Sequence, residues 1–122
     1  MATFLIVDDA AIMRRSITAI LEDADHTIVG ECTTGKGIVS VYQRVKPDIV
    51  TLDINMPDVD GIEALELLMA AEPNAKVMMV SAIGQKHKVL EALRKGAKSY
   101  LLKPIEKGKL LELVNKLIQQ PQ

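Results

Sequence analysis

The sequence has no tryptophan, one phenylalanine (Phe4) and two tyrosines (Tyr42 and Tyr100). Its core must therefore be built from Leu, Ile, Val, Met and Ala, and no aromatic platform is on hand for a flavin ring. Cys32 is the single cysteine, which excludes an internal disulfide and suits a reducing compartment. No apolar run approaches the roughly 20 residues that a membrane-spanning helix needs. The opening Phe4-Leu5-Ile6-Val7 is too short for an export signal and runs straight into two acids. A cytoplasmic protein with no membrane partner is expected. The formal net charge of −1 gives no chain-wide attraction to nucleic acid. His26 and His87 have metal-ligand spacing to nothing, and both are expected at the surface. A Gly-rich phosphate loop is also missing from the Val7-to-Met13 turn.

What the sequence does have is a strict alternation. With 48% hydrophobic and 25% charged residues in 122, it reads as one globular domain, 1–122, without linker or low-complexity segment. Strands are expected over Thr3–Val7, Thr27–Glu31, Asp48–Leu52, Lys76–Val80 and Ser99–Leu102. Between and after them, apolar residues recur at helical spacing: Met13, Ile17, Ile20, Leu21 and Ala24; Ile38, Val41, Tyr42 and Val45; Ile62, Leu65, Leu68 and Met69; Val89, Ala92 and Leu93; Leu110, Val114, Leu117 and Ile118. The Thr33-Thr34-Gly35 cluster offers a cap for the second helix, and Gly96 a stop for the fourth. Met78 and Met79 fall inside a strand and Cys32 has no motif, so all three are expected to be structural. Five strands alternating with five helices imply an α/β fold, a mainly parallel sheet with helices on both faces.

In such sheets ligands bind at the carboxyl ends of the strands. Four strand ends here deliver polar residues to that rim: Asp8-Asp9, Asp53, Ser81 and Lys103. Taken singly, each is ordinary strand-end, turn or cap chemistry. Together they are not. Three carboxylates at one rim repel one another unless a cation joins them. Oxygen ligands without His or Cys favour Mg²⁺ or Mn²⁺ over zinc. A compact ammonium from Lys103 and a hydroxyl from Ser81 complete the parts needed to hold a phosphoryl group, with Asp53 as the nucleophile that receives it.

Val7-Asp8-Asp9, Asp53 followed by Met56-Pro57 and Gly61, Ser81-Ala82, Gly96-Ala97 and Lys103-Pro104 resemble, over essentially the whole chain, the receiver domains of two-component response regulators. The surroundings of Asp8 and Ser81 are most similar to stand-alone chemotaxis-type (CheY-like) regulators. The resemblance, not the residue pattern, implies a flavodoxin-like (βα)5 fold with strand order 2-1-3-4-5, an order known for that protein type. It also implies that Asp53 accepts phosphate from a histidine kinase or phosphotransfer domain. Asp8, Asp9, Asp53 and the main-chain carbonyl of Asn55 would hold Mg²⁺, and Ser81 and Lys103 would contact the phosphoryl group. Ser81 and Tyr100 would form the switch pair, Ala82 would leave the path to the phosphate open, and the Lys103–Pro104 bond would be cis. Four positions stand out: Ile105 where an aromatic is common, Ser81 where threonine is the usual alternative, and Asn55 and Ile83, which tune dephosphorylation in the family.

The output face implied by the resemblance is the fourth helix, fifth strand and fifth helix. Lys86, Lys88, Arg94, Lys95, Lys107 and Lys109 make that region locally basic, and Arg14 and Arg15 are candidate contacts for the phosphate donor. The expected assembly is a monomer whose downstream target is a protein, with the flagellar switch in view. Other readings stay open. A phosphorelay intermediate or regulator of another protein has the same receiver chemistry. A small phosphatase with Asp53 as nucleophile often has an acid two residues later, where this chain has Asn55. A flavin or nucleotide binder lacks its loop and its platform here.

Overall fold

The computed structural model describes residues 1–120, all but the last two of the expected 1–122 unit. Its elements are β1 (Thr3–Val7), α1 (Ala11–Asp23), β2 (Thr27–Cys32), α2 (Ile38–Val45), β3 (Ile49–Asp53), α3 (Gly61–Ala71), β4 (Val77–Ser81), α4 (Lys86–Arg94), β5 (Ser99–Leu102) and α5 (Lys107–Gln119). The strands form one sheet in the order β2-β1-β3-β4-β5, each neighbouring pair parallel. The flavodoxin-like order 2-1-3-4-5 is therefore the observed one.

Successive side chains of a strand point to opposite faces of the sheet. Leu5, Val7, Val50, Leu52, Val77 and Met79 meet Ile38, Ile62, Leu65, Leu68, Val89 and Ala92 of α2, α3 and α4. Phe4, Ile6, Ile49, Met78, Val80 and Leu101 meet Ile17 and Leu21 of α1 and Leu110, Val114 and Leu117 of α5. Both faces are covered, which is why β1, β3 and β4 read as unbroken apolar runs rather than as alternating patterns. Cys32, Met78 and Met79 lie in this core.

Several local expectations need correction. β3 and β4 each begin and end one residue later than the apolar runs suggested, so Asp53 and Ser81 are the last residues of their strands. Thr33 and Thr34 do not cap α2. Its N-cap is Gly37, which has no side chain to cap with, and the Gly35 and Lys36 amides that a cap at Thr33 would meet are taken by Asp58, from the loop after β3, at 3.3 and 3.2 Å. Helix α1 stops at Asp23, and Ala24 is its C-cap. Ile118, placed in the apolar stripe of α5 by its spacing, is exposed. Gly96 does follow the end of α4, where the Ala97 amide returns to the Ala92 carbonyl at 3.0 Å.

The amino ends of the strands are closed by polar pairs. The Thr3 amide and hydroxyl donate to Asp48 Oδ2 at 2.8 and 3.2 Å. Buried Lys76 donates to the Leu117 and Gln120 carbonyls at 2.8 and 2.7 Å, supplying a cation to the carboxyl end of α5. His26 is not simply a surface residue: Nδ1 accepts from the Ala2 amide at 3.1 Å, and its ring stands edge-on to Phe4.

Candidate functional site

At the carboxyl rim the ladder fixes where two functional side chains start. Asp53 is in register with Val80, and Ser81 with Leu102. Directly behind Asp53 the chain doubles back into α3. The Gly61 amide donates to the Ile54 carbonyl at 2.7 Å, and a Cβ on Gly61 would lie 2.2 Å from the Asp53 carbonyl oxygen. Only glycine lets the helix start so close to the strand end. Asp60 then caps α3 by accepting from the Glu63 amide at 2.9 Å.

Asp8 and Asp53 are 2% and 3% exposed, whereas Asp9 is open to solvent. One carboxylate oxygen from each of the three lies within 4.8 Å of the others. Asp8 Oδ1 accepts from the Ala10 amide at 2.9 Å. Asp8 Oδ2 is buried and has no hydrogen-bond partner among the described residues. Lys103 Nζ stands 3.3 Å from Asp53 Oδ1 and 3.9 Å from Asp8 Oδ2, so one ammonium faces two buried acids. Burial pushes the Asp53 pKa up, the Asp8 charge adds to the rise, and Lys103 opposes it. Burial also raises Asp8, against the pull of the Ala10 amide and Lys103. An orphaned buried carboxylate oxygen and an all-oxygen donor set with no soft ligand suit a hard divalent cation.

Lys103 is held beside this cluster through its main chain. Its amide donates to the Ser81 carbonyl at 2.8 Å, and its bond to Pro104 is cis, as the resemblance implied. Ser81 is fully buried. Its hydroxyl lies 2.9 Å from the Ala82 carbonyl and 3.3 Å from Gln85 Oε1. Gln85 Nε2 in turn donates to Asn55 Oδ1 at 2.9 Å. Tyr100 takes no part in this network. It is 43% exposed and lines a shallow apolar groove with Ile83, Val89, Leu90 and Leu102, on the α4–β5 side of the molecule.

The rim thus gathers Asp8, Asp9, Asp53, Asn55, Ser81 and Lys103, and leaves Tyr100 outside. Two surface expectations change. Arg14 does not stand free: it pairs with Glu31 at 2.9 Å and donates to the Asp8 carbonyl at 2.8 Å, bracing the loop that presents Asp8 and Asp9. Of the basic residues near α4 and α5, Lys95 pairs with Glu66 and Lys107 with Asp23, so the positive patch is smaller than its residue list. Sequence reasoning missed Gln85. Its place four residues after Ser81 was visible, but nothing in the sequence says that its amide folds back to the loop after β3.

Comparison with known proteins agrees with this geometry. The response regulator receiver domain model matches residues 4–115. A chemotaxis protein CheY of Listeria monocytogenes is 49% identical over 116 residues, covering 95% of this chain and 98% of that one. A chemotaxis protein CheY of Thermotoga maritima is 44% identical over 93% of this chain and 94% of its own length. Among solved structures, the CheX–CheY–BeF3–Mg²⁺ complex from Borrelia burgdorferi superposes with a TM-score of 0.91 at 36% identity, covering 97% of this chain and 90% of that one. The chain belongs to the response regulator receiver domains, the phospho-accepting switches of two-component systems.

Proposed function

We propose that Asp53 is the phospho-acceptor of this chain and that the 1–122 unit acts as a chemotaxis-type receiver. One observation carries the reading: a buried strand-end carboxylate shares a single ammonium with a second buried acid that has an oxygen to spare. In the transfer, an Asp53 carboxylate oxygen attacks the phosphorus of a phosphohistidine on a kinase or phosphotransfer domain. The P–N bond breaks, its electron pair stays on the imidazole nitrogen, and an aspartyl phosphate forms. Lys103, already against Asp53 Oδ1, neutralises the oxygens of the phosphoryl group. Asp8, Asp9, Asp53 and the main-chain carbonyl of Asn55 would hold Mg²⁺, or Mn²⁺ with the same oxygen preference, which when bound supplies charge that offsets the crowded acids and the phosphoryl oxygens.

The product carries more negative charge and more acceptor oxygens than the carboxylate it replaces. The Ser81 hydroxyl ends β4, the strand beside Asp53, and its rotation toward the phosphoryl group is the proposed start of the switch. Tyr100, now solvent-facing on β5, is its proposed end, and the α4–β5–α5 face its output. A few kcal/mol of differential interaction suffice to move a two-state equilibrium of this kind. Full-length similarity to chemotaxis proteins supports a protein target in that pathway, with the flagellar switch as the specific candidate and a cytoplasmic location to match. The phosphatase alternative lacks support, since Asn55 stands where such enzymes often place their second acid.

Intact-protein mass after incubation with acetyl phosphate and Mg²⁺ tests the acceptor. A single labile phosphate adduct is expected, absent with EDTA and absent in Asp53→Asn. An adduct that persists in Asp53→Asn would move the acceptor elsewhere.

A further inference from the structure

We propose that Gln85 is a latch that holds the phosphoryl-binding donors of β4 in reserve and sets how readily the site fills. The inference rests on Asp53 being the acceptor. β4 lies beside β3 with Val80 opposite Asp53, and the Ser81 hydroxyl and the Ala82 amide, which follow at its carboxyl end, are the candidate donors for a phosphoryl group on Asp53. Both lie within reach of the same acceptor. Gln85 Oε1 lies 3.3 Å from Ser81 Oγ and 3.3 Å from the Ala82 nitrogen. The other half of that amide is tied to Asn55 Oδ1 at 2.9 Å. One side chain therefore bridges the loop after β3 and the loop after β4.

The amide's position is not explained by helix capping. Gln85 is the N-cap residue of α4, yet its side chain caps no helix amide. Its two contacts at 3.3 Å are at the long end for hydrogen bonds, and the serine proton has an alternative partner in the Ala82 carbonyl at 2.9 Å. Holding a long side chain at these points also costs rotamer entropy. A phosphoryl oxygen is a charged acceptor and forms shorter, stronger bonds to the same donors. It displaces Gln85 rather than adding to it. Release then frees the Asn55 side chain and the N-cap residue of α4 at once. Gln85 also lines the groove that contains Tyr100 and Leu90, so the displaced amide changes that surface directly.

Beryllofluoride binding in saturating Mg²⁺, followed by amide NMR, tests the latch. Gln85→Leu keeps the bulk and removes the amide. It is expected to bind beryllofluoride about 3- to 10-fold more tightly than the parent chain, the return of one or two modest neutral hydrogen bonds. In the Asn55→Ala background the gain from Gln85→Leu should shrink, because one end of the latch is already gone. The Ala82 amide of resting Gln85→Leu should move toward its position in the beryllofluoride-bound parent. Support of the loop by Gln85 alone would give the opposite sign, weaker binding in Gln85→Leu. Equal or weaker binding, or a gain unchanged by Asn55→Ala, overturns the latch while leaving the acceptor in place. No beryllofluoride binding by the parent chain overturns both.

Discussion

The two rims of the sheet handle charge in opposite ways. At the amino rim Lys76 is buried and held by two helix-end carbonyls at 2.8 and 2.7 Å, and Asp48 receives both the amide and the hydroxyl of Thr3. At the carboxyl rim Lys103 keeps looser company, at 3.3 and 3.9 Å, with two buried acids, and Asp8 Oδ2 has no donor among the described residues. A saturated polar group is fixed by the fold and contributes to its stability. An unsaturated one costs stability and is retained where a ligand completes it. Apart from the Ser99 hydroxyl, buried without a partner among the described residues at the start of β5, the amino rim closes the fold. The carboxyl rim leaves it open for a cation and a phosphoryl group.

Exchanging the lysines is the sharpest way to break this contrast. Lys103→Met is expected to slow phosphate uptake from acetyl phosphate by roughly 100-fold, the usual scale for removing one positioned charge from a transition state; mass spectrometry against time reads the rate. Lys76→Met should leave that rate unchanged and lower stability to urea by about 2 kcal/mol, since it strips two charge-assisted bonds from the end of α5. Equal effects of both variants on uptake would erase the distinction between the rims.

A smaller effect has the reverse sign. Asp8→Asn relieves a buried charge and is expected to stabilise the metal-free chain by about 1 kcal/mol, roughly 4 °C in Tm for a chain this size. Mg²⁺ should raise the Tm of the parent chain and do little for the variant. A loss of stability in metal-free Asp8→Asn would mean that the acid is already satisfied.

Acidification separates the rims most finely. The folded pKa values of Asp8 and Asp53 are raised, chiefly by burial, so the folded state binds protons there first and gains stability as pH falls toward the ordinary carboxylate range. His26 is lowered, chiefly by burial. Its neutral ring accepts from Ala2, and that contribution is present above the ordinary histidine pKa of about 6.5 and lost as pH falls through the lower folded value. Urea melts between pH 7.5 and 5 of the double variant Asp8→Asn/Asp53→Asn, with and without His26→Gln, should show a slope toward lower stability in acid that is reduced when the histidine is gone. The same slope in both would remove His26 from the account.

Much of the carboxyl rim was legible because its residues sit at the ends of uninterrupted apolar runs. Such runs are read directly where both sheet faces are covered, so Asp8, Asp53 and Ser81 stand out at their ends, whereas β5 is half exposed and Lys103 is marked only by the proline after it. The strand order was not legible from pattern, since alternation permits several right-handed windings, and it came with the family resemblance. The amino rim was almost invisible. Lys76 looked like the first residue of a strand, His26 like a surface residue and Asp48 like a strand start, because their partners lie 24 to 45 residues away. Thr33 and Thr34 misled for the same reason: Asp58, from another loop, had already taken the amides of Gly35 and Lys36. Gln85 belongs with these. Local chemistry is written in the sequence, whereas bonds between loops depend on the fold that brings them together.

The central claim is that the carboxyl rim is the open one, and amide NMR during titration with Mg²⁺ and then beryllofluoride tests it most directly. The account predicts shifts at Asp8, Asp9, Asp53 to Asn55, Ser81, Ala82 and Lys103, spreading to Gln85 and Tyr100 on addition of beryllofluoride, while Thr3, Asp48 and Lys76 stay where they are. Shifts of equal size at both rims, or none at the carboxyl rim, would contradict it.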